Sequence, residues 1–223
     1  ASSSYQAFMW KRHAGFDVVT YRGNGVIGYQ VPHSMNKAPE MMWVRQRDAS
    51  SDGTWWVWHK GYNSGNPSTY FTKLNETMSE GQYNLFHAAP TSISFSLYNY
   101  SGINSGTKDF IAFLFASVDK ISKVGYYTGN GATDGSNAIT VGFQPRFLII
   151  KRIDSSGNWN VFDTVRGLGA GVNTMSLNLN TDDQTQNQGS GKIGLSSTAF
   201  IPGSGGEAGW NGNSERYIYY AHA

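Results

Sequence analysis

Residues 23–28 read Gly-Asn-Gly-Val-Ile-Gly. This is the G-x-G-x-x-G spacing with which a strand-to-helix turn cradles the pyrophosphate of a dinucleotide. That chemistry needs a strand before the loop and a helix after it. "FDVVTYR" supplies the strand, but "VIGYQVP", with its β-branched residues, glycine and proline, reads as a further strand or loop. A second copy at 129–135, "GNGATDG", carries Asp134 where the third glycine would stand. What the copies share is Gly-Asn-Gly, a turn whose residues tolerate left-handed backbone. Gly23, Asn24, Gly25, Gly129, Asn130 and Gly131 are therefore assigned to structural turns. Gly28 is read as incidental, and no cofactor is expected.

Other reactive groups are sparse. Glycoside hydrolysis needs two carboxyls roughly 5–9 Å apart. The closest glutamates, Glu76 and Glu80, fall in the loop-like "NETMSEG" and read as solvated. His13, His33, His59, His87 and His222 show none of the close spacings of a zinc site. Cysteine is absent, which excludes disulfides, thiolate nucleophiles and cysteine-ligated metals. No G-x-S-x-G elbow occurs. "DSSGNWN" and "TDDQTQNQ" are oxygen-rich, but they lack the EF-hand pattern and fit turn chemistry better. No catalytic residue and no metal ligand is assigned, and the chain is not expected to be an enzyme.

Aromatic residues offer a different chemistry, because a flat ring binds the apolar face of a sugar. Trp55, Trp56, Trp58, Tyr62 and Tyr70 cluster around one hairpin. Alternation places Trp56 and Trp58 on one strand face and Trp55 on the other. Trp159 repeats Trp55 later in the chain, so that shared tryptophan reads as structural. Trp56, Trp58, Tyr62 and Trp210 are expected to form exposed glycan-binding platforms.

The elements that must position these groups are strands. Charged residues are 14% of the 223, against roughly 25% in typical soluble domains, while aromatics reach 14% and glycines number 27. "FDVVTYR", "MMWVRQR", "TWWVWHK" and "SISFSLY" are short, rich in aromatic or β-branched residues, and bounded by turn formers. "ASSDGTW" and "DSSGNW" read as hairpin turns. The net charge of +2 is too small to argue for nucleic acid as a partner. The longest apolar run, "FIAFLFA", has strand length, so membrane insertion is not expected. The chain begins at Ala1 rather than Met, which is read as processing or as a piece of something longer.

The chain is also written twice. An offset of 106 separates Gly23 from Gly129, Pro39 from Pro145 and Asp48 from Asp154. "TWWVWHK" answers "NWNVFDT", "YFTKLN" answers "MSLNLN", and "FIAFLFA" answers "YIYYAHA", in the same order. "AFMW" at 7–10 resembles "AFLF" at 112–115 and suggests an additional N-terminal strand. The expected fold is all-β: two tandem antiparallel β-sandwich units, jelly-roll or concanavalin-like, at 1–120 and 121–223.

The blocks "YQAFMWKRHAGFDVVTYRGNG", "APEMMWVRQRD", "SKVGYYTGNG", "FLIIKRIDSSGNWNVFDT" and "YIYYAHA" together resemble a repeated domain of uncharacterised function. It occurs in tail-fibre-like and other virion proteins of marine bacteriophages, including cyanophages and pelagiphages. The resemblance spans Tyr5 to Ala223. It implies a virion structural or adhesion module, assembled in the host cytoplasm and displayed on a tail or other appendage. The implied partners are other virion proteins and host-surface glycan, with trimers expected from fibre analogy. The alternatives are a capsid decoration or spacer protein and, from a different class, a polysaccharide depolymerase.

Overall fold

β-Branched and aromatic residues favour extended backbone, and frequent Gly, Asn and Ser end each run before a helix can propagate. In the computed structural model, which describes residues 7–12, 15–48, 53–169, 173–190, 192–203 and 209–223, these runs become strands. The first nine are β1 (Phe16–Arg22), β2 (Tyr29–Pro32), β3 (Met41–Gln46), β4 (Trp55–His59), β5 (Tyr70–Lys73), β6 (Gly81–Gln82), β7 (Phe86–Ala88), β8 (Ser94–Leu97) and β9 (Asp109–Phe115). The next nine are β10 (Ser122–Thr128), β11 (Ile139–Thr140), β12 (Phe147–Arg152), β13 (Trp159–Asp163), β14 (Asn173–Asn178), β15 (Gln186–Ser190), β16 (Ile193–Leu195), β17 (Ala199–Pro202) and β18 (Arg216–His222).

The first half forms a six-stranded sheet, β1-β9-β3-β4-β5-β6, and a three-stranded sheet, β2-β8-β7. The second half repeats both orders strand for strand, as β10-β18-β12-β13-β14-β15 and β11-β17-β16. The protein is thus all-β, with two antiparallel β-sandwich units related as a duplication. Among the described residues, no sheet mixes strands from the two halves.

The side-chain alternation places four layers in the order three, six, six, three. On β3, Met42 and Val44 point toward the small sheet, while Met41 and Trp43 point toward the other unit. On β12, Leu148 and Ile150 face the second small sheet, and Ile149 faces the first unit. Both large sheets are therefore buried on both faces, which is why β9 and β18 read as continuous apolar runs. The middle core joins Phe16, Phe115 and Val57 to Ile149, Val161 and Tyr220. The Phe115 and Tyr220 rings meet edge-on with centroids 5.1 Å apart. Each buried side chain of this size contributes about 1.5–3 kcal/mol.

Polar contacts sew the same boundary. Trp159 Nε1 donates to the Lys73 carbonyl at 3.0 Å, and Glu80 N donates to the Ile153 carbonyl at 2.8 Å. His59, fully buried, accepts from Gly61 N at Nδ1 (2.9 Å), with Nε2 3.4 Å from the Tyr219 carbonyl. Nδ1 as acceptor leaves the proton on Nε2, facing Tyr219. Burial pushes this imidazole down to about 3.

The Gly-Asn-Gly turns are pinned from inside each sandwich. Asn104 Oδ1 accepts from Asn24 N at 2.9 Å, and its Nδ2 donates to the Val26 and Tyr98 carbonyls. Asn211 does the equivalent in the second unit, accepting from Asn130 N at 3.1 Å and donating to the Ala132 carbonyl. The backbone comes so close that a Cβ on Gly23 would stand 2.2 Å from the Ser105 carbonyl oxygen, and one on Gly129 2.2 Å from that of Gly212. Gly25 and Gly131 both adopt φ +69°. Gly28 is not incidental: its φ of +80° turns the chain into β2.

The N-terminal strand expectation changes. Residues 7–10 form no strand; instead Phe8 and Trp10 spend their rings on Phe147 and Phe115, closing one end of the middle core. The "ASSDGTW" turn falls largely on residues 49–52, outside the described residues.

Gly23→Ala and Gly129→Ala should each lower unfolding free energy by about 1–3 kcal/mol, because backbone rather than a flexible side chain must yield. Urea titration measures this, and an unchanged midpoint in both variants would contradict the close approach. Acidification supplies a second check. Below pH 6.5 the unfolded chain protonates His59 while the folded chain resists until about pH 3, so stability falls across that window. The His59→Gln variant should lose less on acidification, with the difference reaching on the order of 3 kcal/mol by about pH 4 in pH-dependent melts.

Candidate functional site

The duplication allows one corner of the sandwich to be compared with itself. In the first unit, Trp56 on β4 lies opposite Lys73 on β5, whose ammonium sits 5.2 Å from the ring centroid. Phe71 and Tyr100 pack on Trp56 at 5.3 and 5.1 Å, and Tyr83 meets Tyr100 at 5.4 Å. The corner is filled by aromatic rings.

In the second unit the matching pair is Asn160 on β13 opposite Asn178 on β14. The registers further match Ser176 to Phe71 and Gln186 to Gly81. Short amides replace rings, and a cleft of about 440 Å³ remains. That is within the roughly 300–1,000 Å³ of ordinary ligand sites. Its wall includes Asn158, Asn160, Gln186 and Gln188, with Arg152 and Thr77 at the rim.

The polar groups are partly organised. Gln188 Nε2 donates to Ser176 Oγ at 2.9 Å and to Gln186 Oε1 at 3.3 Å. Asn160 Nδ2 donates to the Asn158 carbonyl at 3.1 Å, and Asn180 holds Asn158 Oδ1 at 2.9 Å. Asn178 is different. It is only 9% exposed, and neither its Nδ2 nor its Oδ1 has a hydrogen-bond partner. Burying a polar group unpaired costs about 1–3 kcal/mol, so such a residue is retained for a reason. As the register partner of Asn160, it stands on the face that bears the cleft.

Charge at the rim is balanced. Burial opposes the Arg152 cation, but Asp154 and Glu215, each 2.8 Å away, raise its pKa above the ordinary value. Lys151 behind it donates to the Thr77 and Arg152 carbonyls, and burial pushes its ammonium down to about 7. Gly157 N also bonds the Thr77 carbonyl at 2.8 Å, so a loop of the first unit braces the hairpin of the second.

The aromatic residues expected to form exposed platforms are core residues. Trp56 and Trp58 are 6% and 5% exposed and share the first sandwich interior. Tyr62 is fully buried, its hydroxyl 2.6 Å from Thr72 Oγ1. Trp210 is 0% exposed, packs on Phe162 and donates to the Lys192 carbonyl at 3.1 Å. A hairpin was assumed to have one free face, but the large sheet is covered on both. Glu76 and Glu80 are not simply solvated: Glu76 pairs with Lys73 at 2.8 Å, and Glu80 crosses the unit boundary to Arg216 at 2.6 Å. Among the described residues, no three His, Cys, Asp or Glu side chains gather as a metal site. No helix there is long and apolar enough to cross a membrane.

The amides of the cleft were not singled out from the sequence. Their signal was present in the repeat, where "WNVF" sets Asn160 against the Trp56 of "WWVW".

Fold and site together define a duplicated β-sandwich protein with a polar cleft in its second unit. The chain belongs to the family described as "Domain of unknown function (DUF7483)", whose model matches residues 7–223 as a single span across both units. Comparison with curated proteins gave no match, nor did comparison with solved structures.

Trp56→Ala is expected to cost about 3–5 kcal/mol of stability, as a core truncation. Asn160→Ala should cost less than about 1 kcal/mol, because its side chain borders open space. Denaturant unfolding of both variants measures the contrast, and a near-neutral Trp56→Ala would contradict the buried placement.

Proposed function

We propose that this chain is a non-catalytic adhesion module of a bacteriophage particle, carried on a tail fibre or another exposed appendage, that contacts host-surface glycan. The observation that carries the reading is the cleft of the second unit. It offers amide donors and acceptors at a sheet corner where the duplicate places the buried Trp56 among Phe71 and Tyr100. The resemblance to marine phage virion proteins supports the setting. Other virion proteins would anchor the module, and a trimeric arrangement would multiply a weak sugar affinity.

A second reading, a spacer or capsid decoration, is favoured by the middle core. It welds the two units into a four-layer slab suited to transmitting load. The position of the chain on the particle separates the two.

The test uses fluorescently labelled full chain on host cells, with and without periodate oxidation of surface sugars, beside antibody labelling of particles. Adhesion predicts cell binding that periodate abolishes, and label at a distal tip. Label on the capsid shell with no cell binding would replace it with the decoration reading. Release of reducing ends from host polysaccharide, lost on one Asp or Glu substitution, would replace it with a depolymerase.

A further inference from the structure

We infer that the amide-lined cleft of the second unit is a binding site for a neutral saccharide, and that the first unit lacks this site because Trp56 and its aromatic neighbours occupy the same corner. The inference deepens the glycan-binding reading and rests on it.

Three observations converge. The first is the exchange at matched positions: Trp56 and Phe71 become Asn160 and Ser176. Among the described residues, Trp56 is packed by Phe71 and Tyr100 where Asn160 borders the cleft. The second is the lining itself: Asn158, Asn160, Gln186 and Gln188 present side-chain amides to the cleft. An amide holds one donor group beside one acceptor, which matches the adjacent hydroxyls of a sugar ring, each able to give and accept. The third is charge. Among the described residues, Arg152 is the ionisable one lining the cleft, and it is paired with Asp154 and Glu215. Those two carboxylates offset the Arg152 cation, so the cleft offers an anion no unpaired charge, whereas a neutral polyhydroxylated ligand is matched by the amides, hydroxyls and backbone beside it.

The experiment follows the side-chain amide NMR signals of the full chain during titration with neutral methyl glycosides of glucose, galactose and mannose. Glucuronic acid and N-acetylneuraminic acid serve as anionic comparators. A neutral glycoside should shift the Asn160, Gln186 and Gln188 amides, with an affinity that added salt leaves unchanged. Asn160→Trp, which copies the first unit, should weaken that binding by about tenfold or more. Should Asn160→Trp fail to fold, Gln188→Ala carries the test, because truncating a lining amide should weaken the binding and diminish the shifts while leaving the melting temperature nearly unchanged. Shifts confined to the anionic sugars, shifts centred on Gln82 and Asn84 of the first unit, or no shift with any probe would each overturn the site. Host-cell binding measured on the same samples separates the outcomes. Cell binding without cleft shifts sinks the cleft and leaves the adhesion reading standing, and cleft shifts without cell binding do the reverse.

Discussion

The face-to-face contact of the two six-stranded sheets removes the solvent side that each would otherwise keep. Every strand near the centre must then be apolar in both directions. Met41 and Trp43 are as buried as Met42 and Val44. The same contact explains the closing runs of the two units, which alternate between cores rather than between core and water. It also explains why His59, Lys151 and Glu80 are held by specific partners. Polar groups at a dry boundary must be paired or neutral.

Beneath that contact, each sandwich is closed by one buried asparagine. Asn104 and Asn211 reach the Gly-Asn-Gly turns from the far end of the chain segment, before β9 and β18. They tie the first strand of a unit to the approach of its last. The turn needs glycine first because backbone passes against it, and glycine third because φ is positive. That requirement survived in both copies while the surrounding residues changed, which is why the motif marks the duplication and imitates a phosphate loop.

The two units differ where the frame allows it. The corner at β4-β5-β6 is away from the middle core, so replacing Trp56 with an asparagine does not open the boundary between units. The cost falls instead on Asn178, whose amide is buried without partners. A stable frame can carry such a defect, and sites that bind are the common reason for one.

Composition, turn chemistry and the repeated blocks by themselves determined the all-β class, the two units and most strand positions, because extended backbone and tight turns depend on local residue type. The shared Asn75 and Asn180, which accept from Trp55 N and Trp159 N, were aligned by the repeat before any contact was known. The tertiary structure alone decided which strand faces are covered. Alternation along β4 separates Trp55 from Trp56 but says nothing about whether water or another sheet lies beyond. That is why Trp56, Trp58, Tyr62 and Trp210 read as platforms and proved to be core. It is also why the cleft escaped notice: Asn160, Asn178 and Gln188 are distant in sequence and become neighbours only through strand register.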